Sequence, residues 1–383
     1  MDRRDFLIQA GTMALLQLVA GCNSQDKQKL QVQSLKGSIP AQLLGQFKAN
    51  LKQPANLEFA PVEQLATAFD LLKSWQQPKV NNSSPWQLPA IPLINPPAPD
   101  VADLLTLGDF RLKEAIAQKL IQPLEITDLS QWQNLPSRWQ ELVRRNAQGE
   151  VDINGQIWAA PYRWGNTVIA YNRKKFESLG WTPTNWSDLW REELRSRISL
   201  PNQPREVIGL TLKKLGYSYN SQNLQQVSQL ADQLKTLHQQ VKFYSSDRYM
   251  EPLILGDTWL AVGWSSDVIP VIQRYQEIAA IVPQSGSAIW ADVWVSPTKS
   301  PVNKLLAKQW IDFCWLPQSQ KQISILSKAL SPIEIDINPT DVQEGLRNLL
   351  LVKSETFAQS EFLLPLPKET MQQYKSLWQA MKL

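Results

Sequence analysis

The residues best suited to chemistry in this chain are aromatic and acidic side chains at the ends of apolar runs. Trp290 and Asp292 stand two apart in Ile289-Trp290-Ala291-Asp292-Val293. On an extended strand that spacing puts both on one face. An indole face attracts a cation and a carboxylate accepts its N–H groups, so the pair suits an ammonium. A packed tryptophan beside a loop aspartate fits the same spacing. The apolar run Trp259-Leu260-Ala261-Val262-Gly263 delivers Trp264 to a strand end, where it either packs or meets a ligand. Glu206, in Pro204-Arg205-Glu206, opens a helix and either contacts a ligand or complements the helix dipole. In open α/β sheets ligands collect beyond the carboxyl ends of strands, which is where these segments fall.

Other chemistries find little support. One histidine, His238, lies in a Gln-rich helical stretch, and the two cysteines are Cys22 and Cys314. A metal site of His and Cys is therefore excluded, and a Ser–His or Cys–His dyad would depend on His238 alone. The chain has no phosphate loop, no Gly-x-Gly-x-x-Gly turn and no Gly-x-Ser-x-Gly elbow. Gly263-Trp264-Ser265-Ser266-Asp267 lacks the second glycine. We expect no metal, no cofactor and no catalytic residue. Glu206 and Asp292 as a glycosidase pair are the enzymatic alternative, but nothing fixes their separation. Sixteen tryptophans are more than one site needs. Trp75, Trp139, Trp186, Trp190, Trp310 and Trp315 sit at helical positions where packing is expected.

The elements that must position these groups alternate between strand and helix. A strand is expected over 30–35 and a helix over 40–49. Another strand, 103–107, ends at Gly108-Asp109, with Asp109 expected to cap a helix over 110–120. Strands over 157–160 and 167–171 flank Pro161-Tyr162-Arg163-Trp164-Gly165, a single long helix covers 223–240, and a strand covers 289–295. Such alternation predicts parallel sheets covered on both faces. About 350 residues of it predict two lobes. Residues 78–99 hold seven prolines and read as an extended strap.

Of the 383 residues, 43% are hydrophobic, enough for a sizeable core, and the net charge of +4 has no basic run behind it. Nucleic acid is therefore not an expected partner. The first residues carry an address. Arg3-Arg4 precedes an apolar stretch of about 14 residues, too short to span a bilayer of about 30 Å. Val19-Ala20-Gly21-Cys22 follows. The arginines resemble a twin-arginine export signal and the last four residues a lipobox, which would place lipid on Cys22. Residues 23–29 read as a flexible tether. With Cys22 lipidated, Cys314 has no partner for an internal disulfide.

Together with Trp158-Ala159-Ala160-Pro161-Tyr162-Arg163-Trp164-Gly165-Asn166-Thr167, the three site segments resemble the spermidine/putrescine-binding proteins of bacterial ABC importers. The resemblance covers nearly all of residues 30–330. It takes in Trp186-Ser187-Asp188-Leu189-Trp190, Leu215-Gly216-Tyr217-Ser218, Ser246-Asp247 and Tyr249-Met250-Glu251, and Trp290-x-Asp292 followed by 307–313 is its most specific part. It implies an α/β, two-lobed periplasmic-binding-protein fold of type II with a ligand cleft between the lobes. The implied division is a signal over 1–21, a lipidated tether over 22–29, lobe 1 from 30–168 and 291–335, and lobe 2 from 169–290 and 336–383. By position it implies cation-stacking at Trp264 and Trp290, amine-binding carboxylates at Asp292 and Glu206, a polar contact at Ser246 and a lobe-one aromatic at Phe110. Several positions depart from the family. Leu35-Lys36-Gly37 stands where it has Trp-Thr-Glu, Gly108 and Phe110 where it has Ser and Tyr, Gln203 for a second Asp, and Ala329 for a Tyr. Lys36 would repel an ammonium if it pointed into the cleft.

The expected function is a lipid-anchored, monomeric substrate-binding component in the periplasm or cell envelope. It would deliver a polyamine or related organic cation to a membrane permease. The other readings are an envelope scaffold with a degenerate cleft and a binder of a sugar or aromatic solute. Loss of Asp292 is expected to abolish amine binding and leave the fold intact.

Overall fold

A computed structural model of the chain describes residues 28–76, 100–300 and 304–382. The export signal, Cys22, nearly all of the tether and the proline-rich 78–99 lie outside the described residues. Gln28 and Lys29 open the first strand instead of ending the tether.

Strands β1 (Gln28–Leu35), β2 (Ala55–Val62) and β3 (Leu104–Gly108) pair in parallel, with β1 between the other two. Helices Ala41–Asn50 and Leu65–Gln76 follow β1 and β2. Short strands β4 (Ile121–Gln122), β5 (Arg144–Arg145) and β6 (Gln156–Ile157) lead to β7, which runs thirteen residues from Ala160 to Asn172. Beyond it come β8 (Ile198–Pro201), β9 (Val241–Ser245), β10 (Leu260–Trp264), β11 (Ile278–Ile281), β12 (Ala288–Pro297) and β13 (Glu361–Phe362). The sheet order is β2-β1-β3-β12-β7-β10-β8-β9.

Two strands depart from the expected all-parallel arrangement. β7 and β12 run antiparallel to each other, β12 antiparallel to β3, and β7 antiparallel to β10 and β11. Antiparallel neighbours need no crossover helix, so a long strand can pass from one sheet into the next. β7 is also continuous through Pro161–Gly165, where a break between two strands was expected. Pro161 lacks an N–H, but the β7–β12 register slips between Asp292 and Val293, and the bulge accommodates it.

The cores change hands along these two strands. Trp164 packs in a core with Leu30, Leu105, Trp294 and Trp310, whereas Val168 and Ile169 belong to cores built with Val262, Ile269 and Leu200. On β12 the change falls between Ala288 and Ile289. In the first core Trp294 stacks on Tyr162 at 4.3 Å and 15°, which ties β12 to β7. The Tyr162 hydroxyl meets Thr106 Oγ1 at 3.1 Å and Ser38 Oγ at 3.0 Å, fixing β7 against β3. The six helical tryptophans are buried or half-buried in these cores. From the C-terminal segment Leu346 and Leu349 join one core, Phe362 another and Tyr374 a third.

Two helices differ from expectation. The 223–240 stretch splits into a turn at Leu224–Gln226 and a helix at Leu230–Gln240, because Gln229 takes a left-handed backbone with φ of 65°. Asp109 opens a short turn before the helix Leu112–Ala117, and its carboxylate accepts from Ala291 N at 3.0 Å instead of capping that helix.

Candidate functional site

β7 holds the site together. Alternate strand residues share a face, so Arg163, Gly165 and Thr167 look the same way. Asp292 and Trp290 on β12 pair with Arg163 and Gly165, and Trp264 on β10 pairs with Thr167. Directly opposite residues share a face as well. Five candidate side chains therefore gather on one surface where the cores change over. From Arg163 to Thr167 β7 advances about 13 Å.

The β12 corner is an ion pair. Arg163 Nε donates to Asp292 Oδ2 at 2.6 Å, and Nη2 lies 2.6 Å from the same oxygen. The guanidinium carbon sits 5.8 Å from the centre of the Trp290 ring. Asp292 is 1% exposed and Arg163 6%. Burial alone would lower the Arg163 pKa, but Asp292 and, to a lesser extent, Tyr162 together outweigh it and hold the guanidinium charged. Gly165 makes the corner possible: a Cβ there would lie 2.4 Å from Trp290 Cζ2 and 2.3 Å from Ser265 Oγ. Loss of Asp292 would leave Arg163 buried and unpaired, so it is expected to lower the stability of the fold as well as remove a carboxylate from this corner.

Behind the corner, Asp109 is buried, and burial pushes its carboxyl up to about 7. The Ala291 N–H and the Arg145 charge oppose that rise, and the Asp292 charge adds to it. Phe110 is 56% exposed. Its ring lies against Gly108, where a Cβ would approach Cε1 to 2.5 Å.

The second corner is a carboxylate held by neutral donors. Glu206 lies in the first turn of the helix Pro204–Lys214. Trp264 Nε1 donates to its Oε1 at 2.9 Å, and Thr167 Oγ1 donates to its Oε2 at 3.0 Å. Burial raises the Glu206 pKa against these two bonds, with the Arg205 charge a lesser opposing influence. Arg205 itself donates to Leu364 O and Asn220 Oδ1. Trp264 is held from behind: its backbone N–H donates to Tyr249 Oη at 3.3 Å, the two rings meet edge-on at 5.7 Å, and Tyr249 donates to Asp267.

The remaining expected positions scatter. Ser246 is exposed after β9. Lys36 turns its ammonium to Glu63 at 3.0 Å and is not aimed at either corner. His238 stacks on Tyr244 with Nδ1 3.2 Å from its hydroxyl, Cys314 is buried, and among the described residues no group of His, Cys, Asp and Glu could hold a metal. Arg163, Thr167 and Asp109 were not singled out as site residues. Their roles depend on strand register, and the available signal was their place in the 158–167 segment and beside Gly108.

The chain matches the model of the bacterial extracellular solute-binding protein family over residues 99–348. It is 26% identical over 222 residues to a spermidine/putrescine-binding periplasmic protein of Salmonella typhimurium, covering 58% of this chain and 61% of the relative. It is 28% identical over 237 residues to a putrescine-binding periplasmic protein of Escherichia coli, covering 58% and 62%. The matches thus span about three-fifths of these relatives' length. The fold superposes on a spermidine/putrescine ABC transporter substrate-binding protein of Streptococcus pneumoniae with TM-score 0.73 and 21% identity, covering 93% of this chain and 99% of that one. The architecture is accordingly the α/β, two-lobed type II periplasmic-binding-protein fold with a cleft between the lobes. The chain belongs to the bacterial extracellular solute-binding protein family.

Proposed function

We propose that this protein captures a polyamine or related organic cation in the inter-lobe cleft and delivers it to an ABC permease. The observation that carries the reading is Glu206: a buried carboxylate beside the Trp264 indole, held by neutral donors and, among the described residues, by no cation in contact. An ammonium would supply the missing charge and stack on the ring. Relatives named for spermidine and putrescine support the same ligand class. β7 and β12 act as hinge strands between lobe 1 (30–168 and 291–335) and lobe 2 (169–290 and 336–383). Ligand bridges the lobes and shifts the equilibrium toward the closed form that docks on the permease. Trp290, Asp292, Ser246 and Phe110 shape the rest of the cleft. Arg3-Arg4 and Cys22 support export and a lipid anchor that holds the monomer at the membrane face of the cell envelope. No bond is made or broken in this function.

The Arg163–Asp292 contact favours one second reading, an envelope scaffold whose cleft has lost its ligand, because one of the two carboxylates is already occupied. A thermal-shift series on ligand-free protein lacking residues 1–22 separates the two. A ligand at 100 times its Kd stabilises the fold by about 2.7 kcal/mol. The transport reading expects a raised Tm with an amine and none with neutral sugars. Flat responses to every amine would leave the scaffold.

A further inference from the structure

We infer that the cleft is built for a ligand with a single cationic group, because Arg163 fills from within the chain the corner where a second ammonium would sit. This rests on the amine-capture reading above and narrows it. An internal cation already stands at Asp292 and Trp290. Nε and Nη2 of Arg163 both reach Asp292 Oδ2 at 2.6 Å, and the guanidinium carbon lies 5.8 Å from the Trp290 ring centre. The arginine is tethered to β7, directly opposite Asp292 in the strand register, so it competes at a high effective concentration. A free ammonium would have to displace it and leave a buried guanidinium unpaired, or sit beside a like charge.

The charge balance says the same. Arg163 cancels Asp292, and the carboxylate left over on this face is Glu206, whose contacts are the Trp264 and Thr167 donors. Arg163 is then the specificity-determining residue. It limits the site to one positive charge and leaves the far end of the ligand to meet the exposed part of Trp290.

The test uses two ligands of equal carbon count, n-butylamine and 1,4-diaminobutane, titrated calorimetrically into the mature chain and into Arg163→Met. For the wild type the monoamine is expected to bind at least as tightly as the diamine, within about 3-fold. Arg163→Met frees Asp292 and is expected to turn this into a preference for the diamine of about 10-fold or more, the worth of one hydrogen bond to a charged group. A wild type that binds the diamine more than about 3-fold tighter overturns the inference while amine capture stands. So does a folded Arg163→Met with no gain for the diamine. If neither amine binds the wild type, amine capture fails and the inference with it. The wild-type ratio decides even where the variant does not fold.

Discussion

The two corners of the candidate site use the same residue types to different ends. Each places a tryptophan from a strand that flanks β7 beside a buried carboxylate, Asp292 on β12 at one corner and Glu206 on the helix Pro204–Lys214 at the other. At the β12 corner the carboxylate meets a guanidinium, and the pair is internally neutral. At the β10 corner it meets an indole N–H and a threonine hydroxyl, and no cation contacts it among the described residues. A buried ion pair is stable only while both partners remain, whereas a buried carboxylate on neutral donors gains from any cation that arrives. Position on a strand therefore says where a ligand can come, and the partner of each carboxylate says whether a charge is still wanted there.

The sharpest way to break this contrast is to remove each acid in turn. Asp292→Ala leaves the Arg163 guanidinium buried without its partner and should cost about 3–5 kcal/mol, read as a lowered urea midpoint. An unchanged midpoint would mean that the pair contributes nothing to the fold.

Asp109 sharpens the comparison through pH. Its folded pKa, about 7, lies above the ordinary aspartate value because burial disfavours the charge. The folded state therefore holds a proton that the unfolded state has released between about pH 4 and 7. Stability should fall as pH rises through that window, by up to about 1.4 kcal/mol per pH unit, and level off above it. Asp109→Asn keeps an acceptor for Ala291 N and should flatten the slope, seen as a converging Tm difference toward acid pH. A slope identical in the two proteins would remove Asp109 as its source.

Gly165→Ala puts a methyl group into Trp290 and Ser265 and should cost about 1–3 kcal/mol. It should weaken ligand binding more than an equivalent change far from β7, since the indole must shift; Tm and affinity measured on one preparation would show whether both fall. The smallest stability effect is expected at the second corner. Glu206→Gln removes a buried carboxylate that no cation contacts among the described residues, so the stability at pH 7 should hold within about 1 kcal/mol or rise. A loss as large as that of Asp292→Ala would erase the distinction between the corners.

How much of this was legible in the sequence follows from how local each signal is. Trp290-x-Asp292, Trp264 and Glu206 are visible because strand alternation and helix starts act over a few residues. The two-lobed α/β architecture is visible in the strand–helix alternation and the family resemblance. Arg163 was in plain view within its segment, but its role comes from register with Asp292, 129 residues away. Asp109 looked like a cap because Gly-Asp before a helix is a local capping pattern. Its carboxylate is claimed instead by a backbone N–H 182 residues on. β7 looked like two strands because Pro161 breaks a ladder unless a bulge receives it, and the bulge belongs to the pairing with β12. Long-range register, not residue type, is what the chain alone conceals.

The most direct test of the account is calorimetric titration of ligand-free wild type and Glu206→Gln with the amine that most raises the Tm. The account predicts one saturable site in the wild type and a loss of about 30-fold or more in the variant, as expected for a hydrogen bond to a charged group. Equal affinity in the two proteins would contradict it, because Glu206 would then not be the group that awaits the cation.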